Sequence, residues 1–285
     1  MGLTRMKCIQ ERLQSASRKW KLTDIETIYE MPGRAVYAAV SADYGSVIVK
    51  RNHDISHLSG EFETLRRMKG NSCCQVYDFD GKEGMILEER ILPGTVLREE
   101  ASWEKRAEVF ARVFRGIHVI LENETSYPSY LDWVKNAYEK LRKGPSADKR
   151  LVDGMREAVA VAEEMFAKYP QRMLLHGDLH HDNILQNEQG GYVVVDPKGV
   201  VGPPVFDTPR YVLNEMDERG DSLPGEHILK VIGKISGLLE YPEEDLCRLF
   251  FMETMLANAW SFGGGEEIKE DAMEVAERVV KGAKT

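Results

Sequence analysis

No stretch of this sequence stays apolar long enough to cross a bilayer. A spanning helix needs about 18 or more such residues, and the most apolar run, Tyr192 to Phe206, is interrupted by Asp196 and Lys198. Met1 to Trp20 is basic and polar, with no apolar signal segment. Gly2 suits N-myristoylation, but Met6 stands where that signal wants Ser or Thr. A cytosolic protein without membrane contact is therefore expected. Cysteine is scarce: Cys8, Cys73, Cys74 and Cys247 show no metal-ligand spacing. Adjacent Cys73 and Cys74 open an apparent strand, where neighbours point to opposite faces, so they pair poorly and reduced thiols are expected. An excess of positive charge is also missing. Against 47 Asp+Glu the chain carries 38 Lys+Arg, a net charge of −9, and without clustered basic residues a nucleic-acid partner is excluded. There is no internal repeat, no low-complexity tract and no G-x-G-x-x-G loop; only Pro32-Gly33-Arg34 stands where such a loop would cover phosphates.

What is present is an ordinary globular composition, 42% hydrophobic and 30% charged over 285 residues. A chain of this length buries roughly three quarters of its unfolded surface, ample for a core. The charge is uneven: residues 1–92 hold 14 basic and 13 acidic side chains, residues 201–285 hold 9 and 17. Ala35–Val40 and Ser46–Lys50, joined by Asp43-Tyr44-Gly45, read as a hairpin. His57–Met68 reads as a helix stopped by Gly70-Asn71-Ser72. Cys74–Phe79 and Gly84–Leu87 form a second strand pair, and Pro93-Gly94 ends it. From Ser102 onward helical periodicity dominates, interrupted by strand-like Met173–Leu175 and Tyr192–Val195 and by breaks near Leu223-Pro224-Gly225, Tyr241-Pro242 and Gly263-Gly264-Gly265. The expected fold class is α+β: a small β-rich lobe over residues 1–92 and a larger helical lobe over 93–285.

The chemistry concentrates in His176-Gly177-Asp178-Leu179-His180-His181-Asp182-Asn183, followed by Val193-Val194-Val195-Asp196. Phosphoryl transfer from ATP needs a carboxylate to orient and deprotonate the attacking hydroxyl. It also needs oxygen ligands for Mg²⁺ and a lysine on the phosphates. The kinase catalytic loop is written H-R-D-x-x-x-x-N, with a metal-binding Asp closing a later strand. Asp178, Asn183 and Asp196 match it in order, spacing and strand context. A zinc site built on His176, His180 and His181 with Asp178 and Asp182 is the alternative. It leaves Asn183 and Asp196 without a role.

On these residues the sequence resembles the aminoglycoside phosphotransferase family, whose fold is protein-kinase-like and two-lobed. His176–Leu185, Asp196-Pro197-Lys198-Gly199-Val200-Val201-Gly202 and Phe206-Asp207 place it nearest the streptomycin and hydroxyurea kinase branch. The resemblance runs from about Glu26 to the C-terminus and is tightest over 174–207. It implies Asp178 as catalytic base, Asn183 and Asp196 as Mg²⁺ ligands, and His176 as support for the loop. His180 would hold the loop or contact phosphate. Lys50 would grip the phosphates of ATP or GTP, paired with Glu61 from the next helix or, failing that, Glu63. Leu87-Glu88-Glu89-Arg90-Ile91 would be the hinge whose backbone pairs with the base. Only 11 positions separate Asp196 from Asp207, and there is no Ala-Pro-Glu. A peptide docking platform is thus absent, and the acceptor should be a small molecule. An antibiotic such as streptomycin, or a sugar or amino-alcohol metabolite, fits. A non-catalytic nucleotide-binding module is a further alternative, but it would be expected to have lost one of the three polar motif residues.

Within the acidic last third, Glu253 stands out, because its helical neighbours Leu246, Leu249, Phe250, Leu256, Ala257 and Trp260 are all apolar. A carboxylate there must line a cleft or be paired. Glu253, Asp207 and Asn214 are the candidate acceptor-site residues, and an acidic cleft would suit a cationic acceptor. Asp207 has a second possible role, capping the helix that begins near Thr208.

Overall fold

The computed structural model describes residues 2–68, 70, 72–121, 127–144, 148–216 and 224–282. Asn71 and Leu223, parts of two expected chain breaks, and the side chain of Cys8 lie outside the described residues. The elements in order are α1 (Gly2–Trp20), β1 (Leu22–Met31), β2 (Arg34–Ser41), β3 (Gly45–Asn52), α2 (Ile55–Met68), β4 (Val76–Asp80), β5 (Met85–Glu89), β6 (Pro93–Val96), α3 (Trp103–Ile117) and β7 (Val119–Ile120). They continue as α4 (Tyr130–Arg142), α5 (Lys149–Lys168), β8 (Met173–Leu175), β9 (Ile184–Asn187), β10 (Tyr192–Val194), β11 (Val200–Gly202), α6 (Thr208–Met216), α7 (Pro224–Leu239), α8 (Glu243–Gly263) and α9 (Glu270–Gly282).

Two compact units result. The first comprises Met1–Thr95 and Leu185–Lys198, the second Val96–Ile184 and Gly199–Thr285. A cut at 92/93 follows sequence order; by packing, the strands leading to Asp196 belong with the first unit.

In the first unit an antiparallel sheet runs β1-β2-β3-β5-β4. Its register is fixed by alternation, since a one-residue slip would turn every apolar side chain outward. Val47 and Val49 face a core of Ala16, Trp20, Tyr37, Met85 and Leu87. Lys50, one position on, therefore sits on the opposite face, between Val36 of β2 and Ile86 of β5. Trp20 closes the core and donates from Nε1 to Asp78 at 2.8 Å. Cys74 N–H bonds to Val194 O at 2.9 Å, and Val194 N–H to Ser72 O at 2.8 Å. These bonds tie the returning segment to the sheet. Cys73, Cys74 and Cys247 are free and buried. Burial pushes the Cys73 thiol up to about 12 and the Cys74 thiol well above its ordinary value.

The second unit is helical around a small sheet of order β11-β8-β7. Ser102 caps α3, accepting from Lys105 N–H at 3.2 Å, and Asp148 caps α5, accepting from Leu151 N–H at 2.9 Å. α8 is the centre: from Asp245 to Ala259 nearly every residue is buried, on all sides of the helix. A helix apolar all round lies inside its unit, with no solvent stripe, which decides the environment of Glu253. No described helix is long and apolar enough to cross a membrane.

Candidate active site

The first unit gathers charge around Lys50. Its ammonium lies 2.6 Å from Glu61 of α2 and 2.8 Å from Glu88 of β5, and it also pairs with Asp196. Glu61 is 5% exposed and Glu88 2%. Buried carboxylates are tolerated only with a partner, and Lys50 is that partner for both. Burial works against the Lys50 charge, but Asp196, Glu61 and Glu88 together hold its pKa well above the usual lysine value. For Asp196 burial is outweighed by the Lys50 ammonium, which holds the carboxyl down at about 2. Glu88, deeper and beside two other carboxylates, is pushed well above the carboxylate range by burial. Glu61, Glu88 and Asp196 bring carboxylate oxygens within 4.8 Å of one another. Asp196, its side chain 42% exposed, is the member with room to turn toward a ligand. It sits at φ +60°, a left-handed conformation that non-glycine residues seldom adopt outside functional positions.

The second unit holds the loop between β8 and the 3₁₀ turn His181–Asn183. Asp207 braces it: the His176 and Gly177 N–H groups donate to its carboxylate at 2.9 and 2.8 Å, and His118 Nε2 lies 2.9 Å away. Gly177 takes φ +77°, and a Cβ there would meet Val200 Cγ1 at 2.9 Å. Asp178 N–H donates to His176 Nδ1 at 3.2 Å, which turns the Asp178 side chain outward at 22% exposure. Asn183 Nδ2 donates to Asp178 O at 2.9 Å and meets His180 Nε2 at 3.2 Å, so its amide oxygen is left to accept or ligate. His180 Nδ1 accepts from Asp182 N–H at 3.3 Å. Burial lowers its pKa to about 4 despite Asp178 and Asp182 nearby, so the ring is neutral at pH 7. Arg98 forks onto Asp182, with Nε–Oδ1 at 2.7 Å and Nη2–Oδ2 at 2.9 Å. His181 Nε2 meets Glu215 at 2.8 Å. Glu215 is fully buried and also takes Arg106 through two contacts of 2.9 and 2.7 Å.

Beside this loop lies a cavity of about 260 Å³, lined by Arg210 and Asn214 of α6 and by Trp260 of α8 among others. Arg210 bonds Glu253 at 2.8 Å and approaches Asp178 with Nε at 3.5 Å. Its guanidinium lies 5.5 Å from the Trp260 ring centroid.

Set against the sequence, Lys50, Glu61 and Asp196 converge in one unit, and His176, Asp178, His180 and Asn183 in the other. Glu63 instead pairs with Arg66 at the surface. Four expectations need correction. Glu253 lines no cleft: α8 is buried all round, and the carboxylate is sealed under Arg210 and Tyr130, whose hydroxyl donates to it at 2.7 Å. Asp207 neither caps α6 nor faces an acceptor, because its oxygens are taken by the loop backbone. The N–H groups of Glu89 and Arg90 already bond to Gln75 O at 2.8 Å and Ser46 O at 3.2 Å, and Glu88 contributes a side chain to Lys50 instead of a backbone contact. The three histidines of the zinc alternative bond to three separate partners. Sequence reasoning missed Glu88 as a lysine partner, and Arg98, Arg106, Arg210 and Glu215. Each meets a partner 38 or more positions away, so only Asp182, inside the motif, gave a local signal.

The family model for aminoglycoside/hydroxyurea antibiotic resistance kinases matches residues 19–265. A hydroxyurea phosphotransferase of Kitasatospora aureofaciens is 30% identical over 178 residues, covering 60% of this chain and 51% of that one. This chain thus spans about half the length of that relative. A streptomycin 6-kinase of Streptomyces glaucescens is 23% identical over 255 residues, 86% of this chain and 76% of that one. An aminoglycoside phosphotransferase solved with ADP and hygromycin B superposes with a TM-score of 0.68 at 12% identity, covering 94% of this chain and 97% of that one. The fold is thus α+β and protein-kinase-like, as expected. From Lys19 to Gly265, this chain belongs to the aminoglycoside/hydroxyurea antibiotic resistance kinase family.

Proposed function

We propose that this protein is an ATP- and Mg²⁺-dependent phosphotransferase acting on a hydroxyl of a small molecule. The observation that carries this reading is the braced loop. Asp207 holds the His176 and Gly177 N–H groups and Asn183 Nδ2 holds the Asp178 carbonyl, while the Asp178 carboxylate, near Arg210, stays partly exposed to meet a hydroxyl. As the hydroxyl oxygen attacks the γ-phosphorus, Asp178 takes the proton and the bond to the β-phosphate oxygen breaks, releasing ADP. Lys50, steadied by Glu61 and Glu88, holds the phosphates. By the family resemblance Asp196 and Asn183 each supply an oxygen donor of the hard type Mg²⁺ prefers. Bound there, the ion would neutralise charge on the transferring phosphates. His180, being neutral, supports the loop and gives no cationic contact to phosphate. With Glu89 and Arg90 engaged, Ile91 is the first N–H along the hinge free to meet the nucleotide base among the described residues. Residues 1–95 with 185–198 then act as the nucleotide unit and the remainder as the acceptor unit. The family points to an aminoglycoside or hydroxyurea as acceptor; a sugar or amino-alcohol metabolite is the other candidate. A cytosolic location suits an enzyme that uses ATP.

The test is Asp178→Ala. It should fold and bind ATP as before, while acceptor-dependent ADP release falls about 10²- to 10⁴-fold. Undiminished transfer by this variant would remove Asp178 from the mechanism.

A further inference from the structure

Asp207 braces the main chain at residues 176 and 177; the Asp178 carboxylate needs a hold of its own. Its Oδ1 lies 3.5 Å from Arg210 Nε and 3.8 Å from His180 Nε2. His180 is neutral at pH 7, whereas Arg210 brings a charge. The same guanidinium is gripped from behind. Its Nη2 lies 2.8 Å from Glu253 Oε1, the Tyr130 hydroxyl donates to Glu253 Oε2 at 2.7 Å, and the Trp260 ring centroid is 5.5 Å away. Glu253 and Tyr130 are both fully buried. A guanidinium is a rigid plane, so holding it at Nη2 fixes where Nε points. Burial works against the Arg210 charge, but Glu253 and then Asp178 hold its pKa above the ordinary arginine value. Glu253, the nearer carboxylate, keeps Arg210 from closing onto Asp178. At 3.5 Å the contact orients the base without the short charge-assisted hydrogen bond that would tie up its lone pairs. Stability gives no reason for this arrangement. Replacing a buried ion pair by apolar residues of similar volume is often neutral or stabilising, so a glutamate in the middle of α8 calls for another role.

We propose that Arg210 is a positioning residue for Asp178: Glu253, itself fixed by Tyr130, sets the guanidinium so that its Nε edge turns the Asp178 carboxylate toward the acceptor hydroxyl. This rests on the phosphotransferase reading and adds to it the residues behind the base. The test measures ADP release with streptomycin and with hydroxyurea, ATP affinity by calorimetry, and urea melts. The proteins compared are the parent, Asp178→Ala, Arg210→Lys, and Arg210→Met combined with Glu253→Leu. The double variant strands no charge and should match the parent in stability and ATP affinity, while kcat falls about 10- to 100-fold at unchanged KM for ATP. Arg210→Lys keeps the charge but not the two-edged plane, so it should fold and lose a similar factor. Parental kcat in either variant, or a loss carried by KM for ATP instead of kcat, makes the pair structural only and overturns the inference. If the double variant does not fold, Arg210→Lys alone decides. If the parent turns over neither acceptor, crystal structures decide: an Asp178 carboxylate displaced in the Arg210 variants supports the inference, and one left in place overturns it. Asp178→Ala separates the two levels. Full transfer by that variant, or no ATP binding by the parent, sinks the phosphotransferase reading. Loss of transfer in Asp178→Ala with parental kcat in the Arg210 variants sinks this inference alone.

Discussion

Glu215 ties the loop of residues 176–183 to the helices behind it, and its removal should be costly. The carboxylate is fully buried and takes Arg106 at 2.9 and 2.7 Å, His181 at 2.8 Å, Tyr211 at 3.2 Å and His227 at 3.3 Å. In Glu215→Ala the Arg106 guanidinium, 3% exposed, loses its buried carboxylate and keeps Glu100 O at 2.8 Å. Breaking a buried pair on one side costs about 3–5 kcal/mol. At about 2–4 °C per kcal/mol for a unit of this size, Tm should fall by roughly 6–20 °C. Replacing both partners, Arg106→Met with Glu215→Leu, removes the stranded charge and should restore most of that stability. It should not restore activity, because His181 has still lost its acceptor and amides of residues 176–183 should exchange faster. The pH dependence has a definite sign. Despite burial, His181 and Arg106 hold Glu215 below the carboxylate range. Its stabilisation is therefore complete above the unfolded value of about 4.3 and is lost as pH falls through the lower folded value. The gap between parent and Glu215→Ala should close in acid. Urea melts of the three proteins check this. A single variant within about 1 kcal/mol of the parent, or a double variant no more stable than the single, would refute the reasoning.

Other outcomes are expected from the same geometry. Lys50→Met leaves Glu61 and Glu88 buried without their cation, and should weaken ATP binding and lower Tm together. Normal ATP affinity by calorimetry would displace Lys50 from its role. Gly177→Ala meets both a positive φ and a 2.9 Å contact with Val200, so a loss of about 1–3 kcal/mol is expected, with a larger proportional loss of kcat than of ATP affinity. The His180 ring, with a folded value near 4 against about 6.5 unfolded, should show no NMR titration between pH 6 and 8. The stability its neutral form contributes is full above about 6.5 and disappears as pH falls toward the folded value. A midpoint near neutrality would contradict the packing described.

The parts of the site readable in the sequence are those whose signal is local. Asp178, Asn183 and Asp196 stand at fixed spacing between two apolar strands, and Lys50 closes an alternating run that must be a half-buried strand. β1 escaped notice for a physical reason. After Leu22 every residue of this edge strand is exposed, so it has no apolar alternation to read. Glu253 was misjudged because the apolar neighbours of a carboxylate look alike whether a helix faces a cleft or lies in the middle of its unit. Only the neighbours supplied by other elements distinguish the two. The Arg106–Glu215 and Arg210–Asp178 contacts join residues 109 and 32 positions apart, and single-sequence patterns carry no information at that range.

The interleaving of the two units also imposes an order on synthesis. The first unit begins with residue 1 but receives its last strands, and Asp196, only at residue 198. The ribosome must add about a hundred further residues first, roughly 5–20 s at cellular elongation rates. During that interval Ser72 and Cys74 lack the Val194 backbone, and Lys50 faces Glu61 and Glu88 without Asp196. The nascent sheet is thus held as an unfinished edge while most of the loop-bearing segment of the other unit emerges. Slowing elongation between residues 95 and 198 should therefore lower the yield of folded protein more than slowing it after residue 200.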